Sequence, residues 1–123
     1  MKLSELKTID IVALGYRDTV NGNSYFSSNV ILNHGLKNSI QLKIPFQYGY
    51  ELQYVSTSLE EVSKHFKRSQ WYKKYMNKDM IEEKYKIKIT HKITKGCRKR
   101  ELFHSRDIKK VILSDKKIIK LVV

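Results

Sequence analysis

Cysteine, proline, glycine and acidic residues are all scarce in this chain, and the scarcities narrow the reading. A single cysteine, Cys97, excludes an internal disulfide framework and any zinc site built from a cysteine cluster. With one proline and five glycines there is no low-complexity linker and no glycine-rich phosphate loop. No run approaches the roughly 18 consecutive apolar residues of a transmembrane helix. Met1-Lys2-Leu3-Ser4-Glu5 lacks the apolar stretch of a signal peptide. A cytoplasmic, reducing setting is therefore expected, with no membrane partner. The chain is nevertheless equipped to fold. Its 123 residues are 41% hydrophobic and 11% aromatic, enough for a real core and too much for wholesale disorder.

Acidic residues are the most informative shortage: 12 against 25 Lys and Arg, a formal net charge of +13. The imbalance is local. Residues 1–62 carry a net −1, and residues 63–123 a net +14. An AT-rich genome inflates lysine throughout a protein, so it cannot explain this asymmetry. A polyanionic partner can. The competing explanation is a solvated surface kept basic for solubility.

Hydrophobic periodicity predicts an α+β fold: an antiparallel β-meander, one packed amphipathic helix, a short second helix and a basic C-terminal β region. Ile9, Ile11 and Ala13 alternate in a first strand. Asn21-Gly22 marks a hairpin, since both residues tolerate positive φ. Phe26, Val30 and Leu32 share a face of the second strand, and Ile40, Leu42, Ile44 and Phe46 share a face of the third. Pro45 cannot donate to a ladder, which puts it at a sheet edge or a strand end. After Gly49 the period changes. Leu52, Val55, Leu59, Val62 and Phe66 form a helical stripe, which outweighs the capping-box match of Ser58 with Glu61 inside it. Asp79 to Glu82 resembles a second capping box and predicts a second helix.

The second half returns to period two. From Lys84 to Thr94 the even positions hold Lys84, Lys86, Lys88, Thr90, Lys92 and Thr94, and the odd ones Tyr85, Ile87, Ile89, His91 and Ile93. This predicts a strand with one apolar face and one ladder of ammonium groups. Lys95-Gly96-Cys97 reads as a turn, Arg98 to Phe103 as a return strand, and Lys110 to Val123 as a further hairpin. The apolar C-terminus predicts order in the sheet or a homodimer interface. In outline, 1–68 form a meander plus helix, 69–83 a helical aromatic connector, and 84–123 a basic β-hairpin region, all within one compact domain.

The run Gly15-Tyr16-Arg17-Asp18-Thr19-Val20-Asn21-Gly22-Asn23-Ser24-Tyr25-Phe26, with Pro45-Phe46-Gln47-Tyr48-Gly49-Tyr50, resembles small proteins encoded by bacteriophages and mobile elements. The resemblance covers roughly residues 10–66. It implies an origin, and a host-cell cytoplasm, rather than a chemistry.

Non-enzymatic nucleic-acid binding, to DNA or RNA, is the function these features favour. Lys86, Lys88 and Lys92 would contact phosphates, with Arg98, Lys99 and Arg100 extending the patch. Lysine acts as a point charge, so backbone contact with weak sequence readout is expected. Trp71 and Tyr72, beside Lys73 and Lys74, would stack on unpaired bases. The bland alternatives are core packing for the aromatics and protection of a sheet edge for the lysines. Tyr48, Gly49, Tyr50 and Tyr54 read as a packed strand-to-helix corner, with a binding surface as the alternative. A second function class is a phage-encoded inhibitor that binds a host protein or a protein–nucleic-acid complex. A metal-dependent nuclease is weaker. Glu82-Glu83-Lys84 with Asp79 imitates a nuclease triplet, but such triplets are common by chance. His34, His65, His91 and His104 lack metal-ligand spacing, and no cofactor is expected.

Overall fold

The computed structural model describes residues 1–66, 71 and 76–113. The chain enters through a short 3₁₀ turn, Leu3–Glu5, and then lays down β1 (Thr8–Asp18), β2 (Asn23–Leu32) and β3 (Ser39–Tyr48). Helices α1 (Gln53–His65) and α2 (Lys78–Tyr85) follow, then β4 (Lys88–Thr94), a 3₁₀ turn at Lys99–Glu101, and β5 (Lys109–Leu113). All five strands join one sheet in the order β4-β1-β2-β3-β5. The β1–β2, β2–β3 and β3–β5 pairs are antiparallel, and β4 runs parallel to β1. The protein is an α+β fold built on the expected meander.

Local chemistry explains the turns. The β1–β2 hairpin closes Asp18 onto Asn23, leaving four residues in the loop rather than the tight Asn-Gly pair. Asp18 holds it, its Oδ1 accepting from the Val20 and Asn21 amides and its Oδ2 from the Asn21 side chain. Only Gly22 of the Asn-Gly pair takes positive φ. Between β2 and β3, Asn33 is buried with φ 55°. Its Oδ1 accepts from Lys7 N at 2.6 Å, and its Nδ2 donates to Glu5 O at 2.9 Å, which ties the N-terminal turn to the sheet. Pro45 sits beyond the β3–β5 pairing, where the β2–β3 register slips, so its missing N–H costs no ladder bond there.

Strand register sorts the side chains. Ile89, Ile9, Leu32 and Ile40 lie in one row across β4, β1, β2 and β3, and Ile11, Val30 and Leu42 in the next. These residues form the core with α1, which contributes Tyr54, Val55, Leu59 and Val62. The helical stripe is as expected except at its start, where Leu52 precedes the helix and is exposed. Ser58 is an interior residue of α1, not a cap. Its hydroxyl donates to Tyr54 O at 2.6 Å and lies 2.9 Å from Ser28 Oγ on the sheet. Likewise α2 is capped by Asn77, whose Oδ1 accepts from Met80 N at 2.9 Å, and not by Asp79.

The C-terminal region departs from expectation in two ways. First, α2 continues through Tyr85 and ends on Lys86, which adopts a left-handed conformation with φ 56°. Lys84 is therefore helical, and neither Lys84 nor Lys86 belongs to the strand. Second, no strand returns antiparallel to β4 from Arg98 to Phe103: β4 lies parallel to β1 at one edge of the sheet, and β5 lies antiparallel to β3 at the other. The stretch expected as a return strand, Arg98 to Phe103, holds a 3₁₀ turn, with the Glu101 carboxylate accepting from Arg98 N at 3.2 Å. The rest of the expected C-terminal hairpin, 114–123, lies outside the described residues.

Candidate nucleic-acid interface

Side-chain alternation in β4 sends Ile89 into the core under α1 and sends Lys88, Thr90 and Lys92 to the opposite face. The two lysines are exposed and about 13 Å apart along the strand. They sit beside Thr8 and Val12 of β1. Between them, Thr90 Oγ1 donates to the Asp10 carboxylate. The expected ladder of Lys86, Lys88 and Lys92 is thus a pair on the strand, with Lys86 exposed at the helix end just before it. β4 is an edge strand, and Glu82 Oε2 accepts from Ile89 N at 3.2 Å. Glu82 also pairs with Lys78 at 2.7 Å; the Lys78 bond first and the Ile89 amide second hold its carboxyl below the usual range, and Glu82 in turn holds the Lys78 ammonium above its own. The carboxylate that imitated a nuclease ligand is a helix-to-strand brace.

After Thr94 the chain crosses the face opposite α1. Cys97 N donates to Gly15 O at the end of β1, and Phe103 N donates to Ser27 Oγ on β2 at 3.1 Å. Phe46 N donates to Phe103 O on β3 at 2.7 Å. Residues 95–103 therefore form a strap over three strands, delivering the chain to the far edge for β5. Its crest carries Arg98, Lys99 and Arg100, all exposed. Leu102 below them is buried, as are Val12 and Ile31 on this side of the sheet. Lys43, from β3, lies 5.8 Å from the centroid of the Phe103 ring.

Among the described residues, Lys86, Lys88, Lys92, Arg98, Lys99 and Arg100 have no ion-pair partner, whereas Lys64 pairs with Glu60 and Glu61, and Lys78 with Asp79 and Glu82. One carboxylate does feel the strap. Asp18 is held below its usual range, chiefly by the hydrogen bond from Asn21 and least by the charge of Lys99.

Aromatic rings gather where the strap meets the sheet. Tyr16 stacks on Tyr25, with centroids 6.1 Å apart, and Tyr25 stacks on Phe46 at 4.8 Å. Phe46 in turn stacks on His104 at 4.8 Å. Lys99 Nζ lies 5.7 Å from the Phe46 centroid. Tyr48 meets Tyr25 and Tyr50 edge to face. The expected corner cluster splits here. Tyr54 is buried, its hydroxyl 3.0 Å from His91 Nδ1, and burial holds its phenol above the ordinary range. Gly49 is packed so closely that an added Cβ would fall 2.6 Å from Phe26 Cε1. Tyr48 and Tyr50, by contrast, are 51% and 44% exposed.

Trp71 corrects the sequence reading outright. It is 1% exposed, its indole N–H donates to Leu59 O at 2.6 Å, and it meets the Tyr85 ring edge to face. It is core and presents no face to a base. Tyr72, Lys73 and Lys74 lie outside the described residues. Sequence analysis does not single out Tyr16 or Tyr25 as site residues, places Phe46 with Ile40, Leu42 and Ile44, and weighs His104 only as a metal ligand. Hairpin closure at Asp18 and Asn23 places Tyr16 opposite Tyr25, so that pair was legible once the register was known; His104 had no such signal.

Among the described residues no cluster of three His, Cys, Asp or Glu side chains is placed to hold a metal, and no helix is long and apolar enough to cross a membrane. No protein-family model, curated protein or solved structure matches the chain.

Proposed function

We propose that this protein binds nucleic acid, DNA or RNA, through the sheet face opposite α1, gripping phosphates with Lys88, Lys92, Arg98, Lys99 and Arg100. One observation carries the reading: these five cations are exposed on an edge strand and the strap that follows it, and no described carboxylate lies within ion-pair distance of them. Unpaired cations on one surface repel one another, and a polyanion relieves that repulsion while releasing its own condensed counterions. Edge protection alone accounts for Lys88 and Lys92. It does not account for Arg98, Lys99 and Arg100, which lie on the strap and not on a strand. Contacts are made to the backbone, with little base readout from lysine.

Fluorescence anisotropy with labelled oligonucleotides over a salt series tests this. Affinity should fall as salt rises, with a logarithmic slope of about −0.7 per phosphate contacted on a single strand. Replacing Lys88 and Lys92 by Ser should weaken binding and flatten that slope by about 1.4. Unchanged affinity and slope in the double variant would remove these lysines from the interface.

A further inference from the structure

The same face carries a feature that phosphate binding does not need. Tyr16, Tyr25 and Phe46 form a three-ring cluster, with centroids 6.1, 4.8 and 6.4 Å apart, and His104 stacks on Phe46 at 4.8 Å. The outermost ring, His104, is exposed, and its Nε2 lies 2.8 Å from Lys99 O, which fixes it to the strap. Tyr48 and Tyr50 flank the cluster, about half exposed and packed edge to face at 5.0 Å. Tyr16, Tyr25 and Phe46 are half-buried and His104 is exposed, beside Arg98, Lys99 and Arg100 of the strap.

Resting on the nucleic-acid reading above, we propose that this aromatic cluster is a base-stacking platform, so that the ligand is a single strand with unpaired bases rather than a duplex. Geometry argues for that occupant. Bases buried inside a duplex cannot reach ring faces lying on a sheet, whereas splayed bases can stack on them while their phosphates lie along the cations. Lys99 links the two functions, standing over the Phe46 ring within the cationic crest. Tyr48, Tyr50 and His104 offer the accessible faces and edges. Tyr25, packed against Tyr48, and Phe46, packed against His104, hold them in place. Stacking tolerates any base, in keeping with a lysine-rich grip that reads little sequence.

Four probes in the anisotropy assay decide it: oligo(dT), oligo(U), and DNA and RNA duplexes of matched length. Variants Y48L and Y50L keep an apolar side chain but lose the π face; Y48F and Y50F keep the face and lose the hydroxyl. Single strands should bind more tightly than duplexes. Each Leu variant should lose about five- to a hundredfold on oligo(dT) or oligo(U), with duplex binding unchanged. The Phe variants should bind single strands as wild type does. Stronger retention of oligo(U) than of oligo(dT) would make RNA the ligand, and the reverse DNA; both meet the proposal. Leu variants that bind single strands as tightly as wild type, while K88S/K92S still weakens binding, would overturn the platform and leave phosphate binding standing. Failure of all four probes to bind would overturn both.

Discussion

On one face of the sheet, Ile9, Ile11, Val30, Leu32, Leu42 and Ile44 are sealed beneath α1 with almost no exposure. On the other, Lys88, Lys92, Tyr16, Tyr25, Lys43 and Phe46 keep contact with solvent, crossed by a strap of cations. The strands are the same and residue parity decides the face, except on β3, where the register slip turns Phe46 away from Ile40, Leu42 and Ile44, whose face it was expected to share. Burial disciplines the first face, because an apolar stripe misplaced by one residue would lose the whole core. The second face is under no such demand. It still holds three buried apolar residues, Val12, Ile31 and Leu102, yet sets unpaired cations and half-exposed rings around them. One face is organised for stability, and the other is the surface proposed for a partner.

The sharpest way to break that division is Trp71→Ala. Trp71 belongs to the stability side, so its truncation should cost about 3–5 kcal/mol in urea unfolding, as for other buried aromatics. Oligonucleotide affinity per folded molecule should not change. A loss of affinity with intact stability would return Trp71 to the interface.

Sequence periodicity reported the buried face well. The stripe from Val55 to Phe66 and the alternation of Ile40, Leu42 and Ile44 were legible because each repeats a single physical requirement. Sequence failed where two periods overlapped or where order came from distant partners. Lys84 and Tyr85 fit both a strand and a helix, and Lys78 pairing with Glu82 one turn away settles them as helix. Lys86 then ends that helix in a left-handed conformation normally left to glycine or asparagine. Nothing in Lys109 to Leu113 says which edge of the sheet it will join. The strap hid for a similar reason: its bonds reach Gly15, Ser27 and Phe46, all far away in sequence. Of the expected site, Lys88, Lys92, Arg98, Lys99 and Arg100 are exposed on β4 and the strap; Trp71 is core, and Tyr72, Lys73 and Lys74 lie outside the described residues.

A smaller effect sharpens the comparison at the sheet edge. Glu82 couples α2 to β4 through Lys78 and Ile89 N, and its folded pKa is depressed. A depressed carboxyl contributes stability above its unfolded value, and loses that contribution as the pH falls through the folded one. Wild type should therefore be more stable than Glu82→Gln at neutral pH, and the gap should close in acid, below the ordinary glutamate range. Thermal melts across pH measure it. A gap that persists in acid would mean that Glu82 braces the edge without its charge. Smallest of all should be the effect of K88S/K92S on stability: exposed cations without ion-pair partners contribute little, so its melting curve should overlay that of wild type.

The central claim, that the two faces have divided the work, is tested most directly by backbone amide shifts in an NMR titration with a single-stranded oligonucleotide. The account predicts that Lys88 to Thr94, the strap from Lys95 to Phe103, His104, and the Tyr16, Tyr25 and Tyr48 amides move together and saturate at one affinity. The solvent side of α1, at Ser56, Glu60 and Lys64, should stay still. Shifts concentrated on α1, with the strap unmoved, would contradict it.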